Sequence, residues 1–217
     1  MRRLLPLLLL LAACGDPVAG PKITGGPQVV SSIVQTVGPA TGAKPSLAKA
    51  FRDLRAVDWQ QATLTAAFCG VEQPITMRDG KVNATSTLWG EVGLWINTFK
   101  PVWYGDIDAD GQDEAAVNVG CDNGGGTASS QLAFGLVVVR SHDGNLELVG
   151  EIGTTTMRDD APHVPLLTEP QFEKGAITVK ELWYRPSDAN CCPSGVSLTR
   201  WWLRDGTLKA DPAVQVS

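Results

Sequence analysis

The sequence predicts a mainly β fold: an antiparallel curled sheet or open barrel, preceded by one short N-terminal helix. Three observations predict it. Runs rich in β-branched and aromatic residues at 62–69, 81–88, 92–103, 113–121, 131–140, 145–152, 175–184 and 195–204 read as strands. Asp79-Gly80, Asp143-Gly144-Asn145 and Asp205-Gly206 supply hairpin-turn chemistry between them. Helical spacing is convincing only at 46–56, where Leu47, Ala50, Phe51 and Leu54 share a face and Lys49, Arg52, Asp53 and Arg55 lie elsewhere.

The chain opens with Arg2 and Arg3, an apolar run from Leu4 to Leu11 broken by Pro6, and then Leu11-Ala12-Ala13-Cys14. This run is too short for a membrane-spanning helix, which needs roughly 20 residues. A basic start, an apolar middle and small residues before a cut site read as an export signal over residues 1–13. The Cys that follows directly makes the string resemble the bacterial lipobox, which implies lipid on Cys14. Acyl chains contribute about 0.8 kcal/mol per buried methylene, and more than one chain gives stable anchoring. The expected localisation is therefore exported and lipid-anchored, to the bacterial cell membrane or the outer membrane.

Residues 14–45 are rich in Gly, Pro, Thr, Ser and Val, and Gly25-Gly26-Pro27, Gly38-Pro39 and Lys44-Pro45 break any regular pattern. They read as a flexible, lipid-anchored tether. Residues 46–212 are long enough for a single β domain with its own core, and 213–217 read as a C-terminal tail. Within the domain, Phe134–Val139 is an almost continuous apolar run and is expected to be a central strand. The tryptophans at 59, 89, 95, 103, 183, 201 and 202 fall largely at strand positions and are expected to be core rather than a glycan-binding platform. The stretch 153–174, with Pro162, Pro165 and Pro170, reads as a long loop.

Removing Arg2 and Arg3 from 18 basic residues leaves 16 against 23 acidic ones, a net charge of −7. No Lys/Arg cluster survives, which argues against nucleic acid as a partner and against an electrostatic grip on anionic lipid. Four cysteines follow Cys14: Cys69, Cys121, Cys191 and Cys192. An even number in an exported chain reads as two disulfides. Joining Cys191 to Cys192 would close a strained ring, so each is expected to reach Cys69 or Cys121.

One loop carries readable chemistry. Asp106-Ile107-Asp108-Ala109-Asp110-Gly111-Gln112-Asp113-Glu114 has the form D-x-D-x-D-G-x-x-E. Calcium takes six to eight oxygens, and alternating carboxylates converge on one ion if the chain turns sharply, which Gly111 permits. The expected ligands are Asp106, Asp108, Asp110, the Gln112 carbonyl and Glu114, with Asp113 as an outer acceptor. Val117 stands where an EF-hand needs its bidentate Glu. The strand–loop–strand setting with an acid at the ninth position instead resembles the calcium loops of FG-GAP and VCBS repeat proteins. A second copy, which a propeller would need, is absent from the sequence.

A wider resemblance spans about 58–205. Val57-Asp58-Trp59, Phe68-Cys69-Gly70, Arg78-Asp79-Gly80, Tyr104-Gly105-Asp106 through Glu114-Ala115, Cys121 and Asn190-Cys191-Cys192-Pro193-Ser194 resemble the secreted domain of actinobacterial LppP/LprE-type lipoproteins. The resemblance implies an envelope lipoprotein domain without an assigned activity or catalytic residue.

Catalytic signatures are sparse. Gly-x-Ser-x-Gly, His-Glu-x-x-His and paired Cys/His patterns are missing, and Gly124-Gly125-Gly126-Thr127 lacks the Lys of a phosphate loop. His142 lies in a turn sequence and is expected to be exposed, while His163 follows Asp159 and Asp160. The favoured function is a non-enzymatic envelope module that is calcium-stabilised and binds an unidentified envelope protein, glycan or small ligand. The alternative is an envelope hydrolase using His163 with Asp159 or Asp160.

Overall fold

The structure, a computed structural model, describes residues 46–49 (backbone only), 53–124, 130–156 and 159–217. The expected signal peptide over 1–13, Cys14 and the expected tether to residue 45 lie outside the described residues, as do Gly125, Gly126 and Thr127 of the glycine-rich segment.

In chain order the strands are β1 (Ser46–Lys49), β2 (Thr63–Ala66), β3 (Val71–Thr76), β4 (Lys81–Ser86), β5 (Gly90–Ile96), β6 (Val102–Gly105) and β7 (Glu114–Asp122). They continue as β8 (Gln131–His142), β9 (Asn145–Gly153), β10 (Leu166–Glu173), β11 (Ala176–Trp183), β12 (Gly195–Arg204), β13 (Thr207–Ala210) and β14 (Val214–Gln215). A seven-stranded sheet runs β1-β9-β8-β7-β5-β4, with β6 also on β7, and it is a strongly curled antiparallel half-barrel. A five-stranded sheet runs β10-β11-β12-β13, with β14 on β12, and β2 pairs with β3.

The apolar run predicted as central is central. β8 lies between β7 and β9 and is buried from Phe134 to Val139. Alternate side chains serve two cores, because successive strand residues point to opposite faces. Val137 and Val139 join Val117, Val119, Leu64, Met77 and Trp59 on one side. Leu136 and Val138 join Ile177, Val179, Leu167 and Ile107 on the other. Covering both faces explains why β7 and β8 read as continuous rather than alternating apolar sequence. Each fully buried aliphatic contributes roughly 1.5–3 kcal/mol.

Three predicted hairpin turns form as expected, with positive φ at both central residues: Asp79 and Gly80, Asp143 and Gly144, Asp205 and Gly206. That pattern is the type I′ geometry that matches strand twist.

The expected N-terminal helix does not form. Ser46–Lys49 pairs with the edge of β9, and Leu54–Ala56 is a 3-10 turn whose Asp53 carboxylate accepts from Arg55 N at 2.9 Å. An isolated helix of that length is marginal in water, whereas an open sheet edge offers a full set of backbone partners. The expected long loop at 153–174 contains β10. Its Pro170 falls where the register shifts between Thr168 and Gln171, beside Glu169 at φ 50°, on an edge strand where a missing N–H is tolerated. The expected strand 92–103 is cut in two because Asn97 Oδ1 accepts from Phe99 N at 2.9 Å and Lys100 N at 3.3 Å, and Pro101 follows. The expected tail 213–217 is instead held to the five-stranded sheet by β14 and by Val216 N donating to Val196 O at 2.8 Å.

The cysteine pairing also differs from expectation. Cys69 bonds Cys121, tying a 3-10 turn (Ala67–Cys69) to β7 inside the first core, and Cys191 bonds Cys192. Cys69 and Cys121 are fully buried beside one another, whereas Cys191 and Cys192 sit exposed between β11 and β12, out of reach of that core. Of the tryptophans, Trp59 and Trp183 are buried, Trp95, Trp103 and Trp201 pack against the second core, and Trp89 is exposed.

Candidate metal centre

The 106–114 loop joins β6 to β7, two neighbouring strands of the seven-stranded sheet. Its entry is fixed by close packing: a Cβ on Gly105 would lie 2.5 Å from Phe172 Cβ, so only glycine admits β10 there. Ile107 then anchors the loop. Its side chain is fully buried in the second core, its carbonyl accepts from Gly175 N at 2.7 Å, and its N–H donates to Glu114 Oε2 at 2.7 Å.

The acids organise the backbone between these anchors. Asp106 Oδ1 accepts from Ala109 N at 2.6 Å and its Oδ2 from Gly111 N at 3.0 Å. Asp108 Oδ1 accepts from Asp110 N at 3.2 Å. Ala109 and Gly111 both take positive φ, 63° and 86°, which folds the loop back on itself. As a result Asp106, Asp108 and Glu114 each present a carboxylate oxygen within 4.8 Å of the others, and this group can hold a metal ion. A hard cation suits three carboxylates gathered around one point.

Asp110, a further expected ligand, is not in that group. Asp110 Oδ1 accepts from Gln112 N at 2.7 Å and Oδ2 from Gln112 Nε2 at 3.4 Å, so the two side chains engage each other at the exposed tip. Asp113, expected as an outer acceptor, pairs with Arg55 Nη1 at 2.7 Å, and Arg55 stacks 4.6 Å over the Tyr104 ring.

Glu114 is the unusual member. It is 1% exposed, and its pKa is pushed up from 4.5 to about 7, first by burial and then by the charges of Asp108, Asp110 and Asp106, against the lowering effect of the Ile107 N–H. A bound cation would reverse that balance, since opposite charge favours the carboxylate. Arg140 on β8 was not evident from the sequence. Its Nη1 lies 3.4 Å from Asp108 Oδ2, and its Nη2 lies 3.1 Å from Glu147 Oε2. A cross-strand pair of this kind becomes visible only once the β8–β9 register sets Arg140 opposite Glu147.

His163 is held by Asn190 and Tyr184. Its Nε2 donates to Asn190 Oδ1 at 3.0 Å, its ring meets Tyr184 edge-on at 4.9 Å, and its Nδ1 has no hydrogen-bond partner among the described residues. Neither nitrogen is hydrogen-bonded to a carboxylate that would orient it. His142 is exposed at the end of β8, 3.5 Å from Asp143. Among the described residues no helix is long and apolar enough to cross a membrane.

Compared with protein-family models, with curated proteins and with solved structures, the chain gives no match.

Proposed function

We propose that this chain is a lipid-anchored, non-enzymatic module of the bacterial cell envelope, whose β domain is stabilised by calcium at the 106–114 loop and presents a surface to an envelope protein or glycan. The observation that carries the calcium reading is the convergence of Asp106, Asp108 and the buried Glu114 within 4.8 Å. Three acids so close repel one another, and a divalent ion removes the repulsion while supplying the positive charge that a buried carboxylate needs. The anchor reading rests on the Arg2-to-Cys14 sequence, and the buried Cys69–Cys121 bond suits an oxidising compartment.

Two measurements test the two halves. In a bacterial host fed labelled palmitate, the chain is expected to take up label and sediment with membranes, and Cys14→Ser is expected to lose both. An unlabelled, soluble wild-type chain would overturn the anchor. A melt of the Cys14→Ser chain with calcium and then with chelator is expected to show a raised midpoint that chelation reverses. An unchanged midpoint at several millimolar calcium would overturn the metal reading.

A further inference from the structure

We propose that Cys191–Cys192 is a thiol–disulfide exchange site that accepts two electrons from a dithiol reductant, chemically separate from the structural bond Cys69–Cys121.

The two bonds do different physical work. Cys69–Cys121 spans 52 residues and is buried, so it restricts the unfolded chain strongly. Cys191–Cys192 joins adjacent residues, closes no chain loop and so adds almost nothing of that kind. Both its cysteines are exposed, so an attacking thiolate has access to the sulfur.

The loop around the pair is also held without it. Asp188 Oδ2 accepts from Arg185 N at 2.7 Å and Ser194 N at 2.9 Å, while Ser194 Oγ donates to Asp188 Oδ1 at 2.8 Å. Tyr184 OH donates to Asn190 O at 3.0 Å, and His163 holds the Asn190 side chain. Just outside, Trp183 pairs with Gly195 in the β11–β12 ladder. None of these bonds uses sulfur, so the loop keeps its frame when the pair opens.

The exchange balances as follows. A thiolate of the reductant attacks Sγ of one cysteine; the Cys191–Cys192 bond breaks as the mixed disulfide forms, and the other cysteine leaves as a thiolate and takes a proton. The reductant's second thiol, deprotonated, then displaces the remaining cysteine and closes the reductant's own disulfide. Two electrons and two protons have passed to the cysteine pair.

The test uses the full chain in detergent, treated under native conditions with graded dithiothreitol, alkylated with iodoacetamide and read by peptide mass spectrometry. Cys191 and Cys192 are expected to be alkylated together at a reductant concentration at least about tenfold below that needed for Cys69 and Cys121. The Cys191→Ser/Cys192→Ser chain is expected to melt with the wild type. Opening of both disulfides together, resistance of the pair until the chain unfolds, free thiols before any reductant, or a markedly lower melt of the double variant would each overturn the proposal.

Discussion

Glu114 Oε2 accepts the Ile107 N–H at 2.7 Å, so the last acid of the 106–114 loop ties down the loop's own first turn. The same residue is therefore a structural clasp and a member of the carboxylate group. Its protonation couples the two roles. The unfolded carboxyl titrates near 4.5 and the folded one near 7, so between those values the native chain binds more protons. The stability that Glu114 contributes is complete below pH 4.5 and declines as pH rises through 7, by about 3 kcal/mol. Metal-free wild type is expected to lose roughly 5–10 °C in midpoint relative to Glu114→Gln between pH 5 and pH 8. Saturating calcium should abolish the difference in slope. Parallel pH curves for the two proteins without metal would refute this coupling.

The ligand set makes a sharper prediction, because Asp110 faces Gln112 rather than the carboxylate group. Asp106→Asn and Asp108→Asn are expected to remove most of the calcium-induced rise in midpoint, and Asp110→Asn to retain most of it. For a dissociation constant between 10⁻³ and 10⁻⁴ M, the rise at about 10 mM calcium corresponds to roughly 1.4–2.7 kcal/mol. Equal losses at all three positions would mean that Asp110 turns inward on binding.

The legible parts of this molecule were those set by local chemistry. The type I′ turns, the buried run of β8 and the acidic loop each announce themselves within a few residues. What sequence hid was set by distant partners. The helical spacing at 46–56 was overridden by a free edge on β9. Pro170 disguised β10 because its tolerance depends on the edge position and on the bulge at Glu169. The Cys69–Cys121 pair depended on which 3-10 turn meets β7, and no spacing rule encodes that. In the site, the D-x-D string marked the loop, but the Arg140 contact followed from side-chain pairing across the folded chain, and Asp110 turned to its near neighbour Gln112.

Arg140 places a positive charge 3.4 Å from Asp108, where it competes with any cation at that carboxylate. Arg140→Gln is expected to tighten calcium binding by about 3- to 10-fold, the ~1 kcal/mol range of a partly exposed ion pair. Titration calorimetry on the Cys14→Ser chain would measure it. Weaker binding in the variant would show that Arg140 supports the loop more than it opposes the ion.

Gly105→Ala tests how the loop is seated. The new methyl would meet Phe172 Cβ and Cγ at 2.5 Å, so β6 and β10 must separate. A cost of about 1–3 kcal/mol is expected in denaturant unfolding, with calcium binding weakened in step. Phe172→Ala removes the Cγ contact and keeps the Cβ one, so in the same chain the two changes should cost less together than the sum of each alone. An additive double variant would place the strain elsewhere.

Glu181 supplies the last test, at a site remote in sequence from the loop. It is fully buried on β11, where Oε2 accepts from Thr155 N and Thr156 N, both at 2.9 Å, and Oε1 accepts from Thr199 Oγ1 at 2.7 Å and from Thr155 Oγ1. These bonds stitch the segment leaving β9 onto the five-stranded sheet. Removing the carboxylate takes an acceptor from the Thr155 and Thr156 amides and from the buried Thr199 hydroxyl, and an unsatisfied buried donor costs about 1–3 kcal/mol. Glu181→Ala is therefore expected to lose roughly 1–3 kcal/mol in denaturant unfolding, and amide exchange at Thr155 and Thr156 should rise well above that of central β8. Glu181→Gln keeps a single acceptor oxygen and should fall between the two. A loss below about 0.5 kcal/mol, with both amides still protected, would mean that other groups hold this segment.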